Sequence, residues 1–210
     1  MTYGLARASI AIATLVASAQ AADAHIVASR LGDFYTGALH PLIDLQDLIL
    51  WVAMGVLAGS LGASKGRWLV LAFPLGLLAG LVLGRTTGFV SAGPAADAGM
   101  ILVLGLLLAA APRIPTAPLC AIAFGLAVMR GAANAGDLGS DTNRLLFAAG
   151  LACMGYAAIT LTMAVTLAFR RPDDAGASMA WRGIAIRAFG GWIAAIGLMM
   201  VGFAFANHSL

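Results

Sequence analysis

Apolar residues run through this chain in long blocks rather than in the alternating pattern of a solvated sheet. Beyond residue 24 the blocks fall at about Pro41–Leu61, Trp68–Leu83, Asp97–Ala111, Pro118–Met129, Leu145–Phe169 and Ile184–Ala206. Crossing a bilayer as a helix takes about 20 apolar residues, so the pattern predicts an all-α integral membrane protein with about six transmembrane helices. The third and fourth blocks are short for spans. Pro112, Pro115 and Pro118 separate them and predict a tight turn between two spans, with a re-entrant pair as the alternative. Pro74 predicts a kink in the second span. Gly76, Gly80 and Gly84 stand four apart, as do Gly55 and Gly59. Such spacing permits close helix approach, and through Gly76, Gly80 and Gly84 it offers a face for a homo-oligomer.

Composition sharpens the class. The chain has 210 residues, 61% of them hydrophobic and only 10% charged, with mean hydropathy +0.96. A soluble domain carries about 25% charged residues. All nine acids are Asp, and eleven of the twelve basic residues are Arg. A net charge of +3 on scattered arginines makes no basic stripe, which excludes nucleic acid as a partner and leaves the lipid bilayer.

Residues 1–24 read as a cleavable signal peptide. Arg7 precedes an apolar stretch, Ala8 to Val16, too short to span. Ala17-Ser18-Ala19 and Ala19-Gln20-Ala21 both fit a cleavage site, with an uncleaved first helix as the alternative. Residues 25–210 then form a single six-helix domain. Lys65, Arg67, Arg113, Arg170, Arg171 and Arg182 fall on the cytoplasmic side, against Arg30, Arg85, Arg130 and Arg144 outside. This weak positive-inside bias predicts a bacterial cytoplasmic (inner) membrane protein with both mature termini periplasmic. Seven Asp then lie outside, with only Asp173 and Asp174 inside.

Candidate chemistry gathers on the outer side. In His40-Pro41-Leu42-Ile43-Asp44-Leu45-Gln46-Asp47, Pro41 suits the first position of a helix. At about 100° per residue, His40, Asp44, Asp47 and Trp51 then share one stripe. One imidazole and two carboxylates on one face could hold a divalent cation, and the alternative is acids favoured by a helix N-terminus. Arg130, Asn134 and Asp137 recur at helical spacing at the end of the fourth span. Asp97 opens the third after Pro94, an ordinary helix start. His25, Asp33 and Gln46 lie near this mouth in sequence. No nucleophile–base set, zinc spacing or phosphate loop is visible, so the sequence points away from an enzyme and from a tightly bound cofactor.

With these residues in view, the chain resembles the HupE/UreJ family, small membrane proteins of hydrogenase and urease gene clusters regarded as nickel or cobalt permeases. The family's first span opens with a pattern like HPLxGLDHLLxMxxxGL. Here it reads from His40-Pro41-Leu42 to Met54-Gly55-Val56-Leu57. A PxxE-like element is matched by Pro94-Ala95-Ala96-Asp97, and a motif like HGxAHGxE by Arg130 through Asp137. The family's Asp-His pair is Gln46-Asp47 here, Arg130 and Asn134 replace two histidines, and Asp97 and Asp137 replace Glu.

The resemblance implies a nickel-type permease, or a metal-delivery accessory protein that works with metalloenzyme maturation proteins. Its transported divalent cation would be held by His40, Asp44, Asp47, Asp97 and Asp137. His25, Asp33, Gln46, Trp51, Arg130 and Asn134 would line or gate the path. The cation is nickel or cobalt by resemblance, but the exchange of imidazole for carboxylate favours a harder ion. The alternative is a non-transporting accessory or assembly subunit in which Arg130 pairs with Asp97 or Asp137 and a salt bridge replaces the metal site.

Overall fold

The computed structural model describes residues 32–208 other than 90, 113, 137, 140 and 172–179. The expected signal peptide, His25 and Asp137 lie outside the described residues. Among the described residues there are seven helices and no strand: α1 Asp33–Ile43, α2 Leu45–Ser60, α3 Ala63–Thr87, α4 Pro94–Ala110, α5 Thr116–Gly136, α6 Arg144–Phe169 and α7 Ala180–His208. Five of the six apolar blocks each coincide with one helix, and the first is divided between α1 and α2.

Two boundaries differ from expectation. Helix α5 runs to Gly136, seven residues past the end of its apolar block, and is long enough to span. Hydropathy stops early there because Arg130 and Asn134 are polar, yet both are buried. The first block contains a break. Pro41 lies inside α1 rather than at a helix start, and α1 and α2 meet at 84°. Asp44 is extended at the corner (φ −83°, ψ 109°) and caps α2, its Oδ1 accepting the Gln46 backbone N–H at 2.8 Å. A side chain that caps the following helix competes with continuing the preceding one. The single stripe expected from His40 to Trp51 is therefore split. His40 belongs to α1, Asp44 to the corner, and Asp47 and Trp51 to one face of α2.

Among the described residues four helices are long and apolar enough to cross a membrane, and five if α1 and α2 count as one bent span. Helix α4, at 17 residues, falls just short. Their outer faces are apolar: Val82, Leu161, Trp192 and Phe203 are each at least 64% exposed. Exposed apolar surface on this scale fits lipid rather than water. Aromatic rings sit with cations at one end. Arg67 lies over Trp68, and Arg182 lies over Phe169 and Trp181. That combination suits a membrane–water interface.

Without a strong hydrophobic drive between helices in lipid, close backbone packing holds such a bundle together. Helix α2 is central, burying Trp51, Met54 and Leu57 against Phe73, Leu104 and Ile159 among others. On α3, Gly76 faces Phe124, Gly80 faces Val128 and Gly84 faces Ala132, so α3 and α5 run parallel with backbones in contact. Gly105 against Ala194, and Gly197 against Leu102, make α4 and α7 an antiparallel pair. The face expected to join a second copy through Gly76, Gly80 and Gly84 is thus covered by α5 of the same chain. Helix α3 continues through Pro74 as one element.

Gly80→Ala tests this packing. A methyl group at Gly80 would meet the Val128 carbonyl and the Ala132 amide, which cannot rotate away. Overpacking costs about 1–3 kcal/mol, more than the ~1 kcal/mol of helix propensity that alanine adds. Thermal unfolding in detergent is expected to show net destabilisation, and a stabilised variant would contradict the close α3–α5 contact.

Candidate functional site

The start of α2 and the end of α5 meet in a buried charge cluster. Asp47 is fully buried and Arg130 is 5% exposed. Arg130 Nε donates to Asp47 Oδ1 at 2.6 Å, and a terminal guanidinium nitrogen donates to Asp44 Oδ2 at 2.6 Å. The planar fork of arginine suits this double grip, one arm to each carboxylate. Asp44 is thereby fully engaged, with one oxygen on the Gln46 amide and the other on Arg130.

Of the two partners expected for Arg130, Asp97 is not bonded to it and Asp137 lies outside the described residues. Arg130 pairs with Asp44 and Asp47 rather than with Asp97. The Asp97 carboxylate instead accepts from Ser91 Oγ at 2.9 Å and reaches Arg130 only electrostatically. Asp97 sits in the first turn of α4, where a carboxylate also favours the helix N-terminus. Asp33, expected near the mouth, accepts the Asn143 backbone N–H at 2.8 Å and ties the start of α1 to the start of α6. Gln46 contributes its backbone to the Asp44 cap. His40 packs its ring against Phe147, with centroids 6.1 Å apart, and acts electrostatically on Asp47.

Trp51 lies one turn further along α2 and Asn134 one turn further along α5, and because these helices run in opposite directions the two flank the pair on its inner and outer sides. Both are buried, and Trp51 stacks edge-on against Phe73 at 5.9 Å. Trp51 Nε1, Asn134 Nδ2 and the second oxygen of Asp47 have no hydrogen-bond partner among the described residues. Buried polar atoms are normally paired, which makes this the most polar and least satisfied part of the interior.

As a metal site the donor set fits poorly. Among the described residues no three His, Cys or Asp side chains converge closely enough to hold an ion. Both nearby carboxylates are already bound to a fixed cation. At about 5 Å and an effective dielectric of about 20, a guanidinium repels a dication by roughly 6–7 kcal/mol.

Sequence reasoning overlooked Ser91, whose only signal was a loop hydroxyl six residues before Asp97. It also overlooked Arg170 as a cap. The Arg170 guanidinium donates to the Gly59 and Ser60 carbonyls at the far end of α2. Only the position of Arg170, just after a long apolar run, hinted at that role.

Apolar outer faces, glycine-packed helices and a polar cluster sealed inside one end define a polytopic helical protein of membrane type. Within that class the chain belongs to the HupE/UreJ family, whose model, described as HupE / UreJ protein, matches residues 12–200. No curated protein and no solved structure matches it.

Proposed function

We propose that this chain is an inner-membrane protein of six spans that serves nickel or cobalt handling as a non-transporting accessory subunit. Family membership supports the nickel or cobalt context. The accessory role rests on one observation, the grip of Arg130 on both Asp44 and Asp47. Those carboxylates are the ones a dication entering near His40 would need, and the guanidinium takes the ion's place as their counter-charge. The partners are metalloenzyme maturation proteins, and the protein is not an enzyme. Counting the α1–α2 pair and the 17-residue α4 as spans gives six, with both ends periplasmic.

A permease is the second reading, favoured by buried polar atoms that lack a hydrogen-bond partner among the described residues, namely the second Asp47 oxygen, Trp51 Nε1 and Asn134 Nδ2. In it, His40, Asp44 and Asp47 accept the ion once Arg130 swings aside, and Asp97 and Asn134 line the path. Uptake of nickel, cobalt and manganese into cells separates the two. The accessory reading expects uptake equal to the empty-vector control, with the protein confirmed in the membrane fraction. Uptake several-fold above control that disappears in His40→Ala would overturn it in favour of the permease.

A further inference from the structure

At the end of α2 remote from Arg130 lies a cavity of about 190 Å³. Leu57, Leu61, Leu108 and Ile186 form much of its wall, and Arg170 and Arg187 line it as well. The two guanidiniums are fixed in place. Arg170 caps the end of α2, and Arg187 Nε donates to the Ala109 carbonyl at 2.9 Å, at the end of α4. A guanidinium carries five N–H donors, so these bonds leave donors over. Among the described residues neither Arg170 nor Arg187 is paired with a carboxylate, whereas Arg130 is. Asp173 and Asp174 lie outside the described residues.

Two apolar clefts lie in series beside this cavity, each sharing one wall residue with the next. The first, of about 300 Å³, shares Ile186 with it and runs past Val56 to Phe189. The second, of about 330 Å³, shares Phe189 with the first and continues between α2 and α7 past Val52 to Leu48. From Ser60 to Leu48 a helix rises about 18 Å at 1.5 Å per residue. One leaflet of a hydrocarbon core about 30 Å thick is roughly 15 Å deep. The cleft thus has the length of an acyl chain and a doubly cationic end where a headgroup would sit.

We propose that the α2–α7 cleft binds one acidic phospholipid, its phosphate at Arg170 and Arg187 and an acyl chain laid along Val56, Val52 and Leu48. Arginine matches phosphate oxygens in geometry and charge, and basic pockets between spanning helices suit acidic headgroups. A zwitterionic lipid brings its own cation toward the two arginines and binds less well. A soluble phosphate ester fills only the charged end and forgoes the cleft.

The test uses the full-length protein in detergent with phosphatidylglycerol, phosphatidylcholine or glycerol 3-phosphate, read by melting temperature and by native mass spectrometry. Phosphatidylglycerol is expected to raise the melting temperature and to remain bound as one molecule, with phosphatidylcholine retained several-fold less. Glycerol 3-phosphate is expected to have no effect. Arg187→Gln, at an exposed position, should unfold like the parent in detergent alone but lose the preference for the acidic lipid. Val52→Trp, which narrows the cleft away from both arginines, should reduce retention. Equal retention of the two lipids, an unchanged preference in Arg187→Gln, undiminished retention in Val52→Trp, or an equal shift with glycerol 3-phosphate would each overturn the proposal.

Discussion

Arg130→Gln is expected to destabilise the protein by about 3–5 kcal/mol, the cost of stripping the partner from a buried charge. The magnitude follows from Asp47, which is fully buried and bonded to Arg130 Nε at 2.6 Å. Without the guanidinium its carboxylate stays in a low-dielectric interior with no counter-charge. Asp44 contributes less, because its side chain is 37% exposed and water screens it. Arg130→Gln combined with Asp47→Asn should recover most of the loss, since a neutral amide and a neutral carboxamide can bond to each other. Asp97→Asn should have a far smaller effect, because Asp97 bonds Ser91 and not Arg130. Chemical denaturation of the parent, Arg130→Gln, Asp47→Asn and the double variant in detergent gives the coupling energy directly. A loss below about 1 kcal/mol in Arg130→Gln, the range of exposed ion pairs, would mean that the pair is solvated and not sealed.

The second large effect is a gain of function. Arg130→His with Asn134→His places two imidazoles one turn apart on α5, opposite Asp44 and Asp47, and removes the fixed positive charge. Imidazole nitrogen suits nickel better than carboxylate oxygen does, and two of each make a plausible four-ligand set. Nickel at 100 times its dissociation constant should then stabilise the folded state by about 2.7 kcal/mol. The parent protein is expected to show no nickel-dependent shift. A chelator should reverse the effect, and Asp47→Asn in the double-histidine background should remove it. If the double variant folds and still ignores nickel, Arg130 does not stand where an ion would bind.

The helices were largely legible in the sequence because membrane burial leaves an unmistakable hydropathy record. That record fails where polar residues are buried by one another. The α5 boundary was missed at Arg130 and Asn134 for this reason, since hydropathy counts a buried guanidinium as an end. The corner at Asp44 was hidden for a different reason. The segment from His40 to Asp47 is compatible with an unbroken helix, and the choice was made by a local bond from the Gln46 amide to the Asp44 side chain. The presence of a salt bridge at Arg130 could be read from its charge among acids, but its partners could not. Asp44, Asp47 and Asp97 are equivalent in one dimension, and only the reach of Arg130 from the end of α5 to the start of α2 selects two of them. The glycine stripe on α3 had the same ambiguity, since its spacing announces a close neighbour without saying whose.

The corner at Asp44 has a mechanical consequence. A hinge needs a loose pivot, whereas this residue is held by its backbone N–H on His40, by the Gln46 amide and by Arg130. Through Gly37 and Gly150, α1 also lies backbone to backbone on α6. The elbow is therefore a rigid bracket bolted to α5, and any load that a partner places on α1 is carried straight into the centre of the bundle.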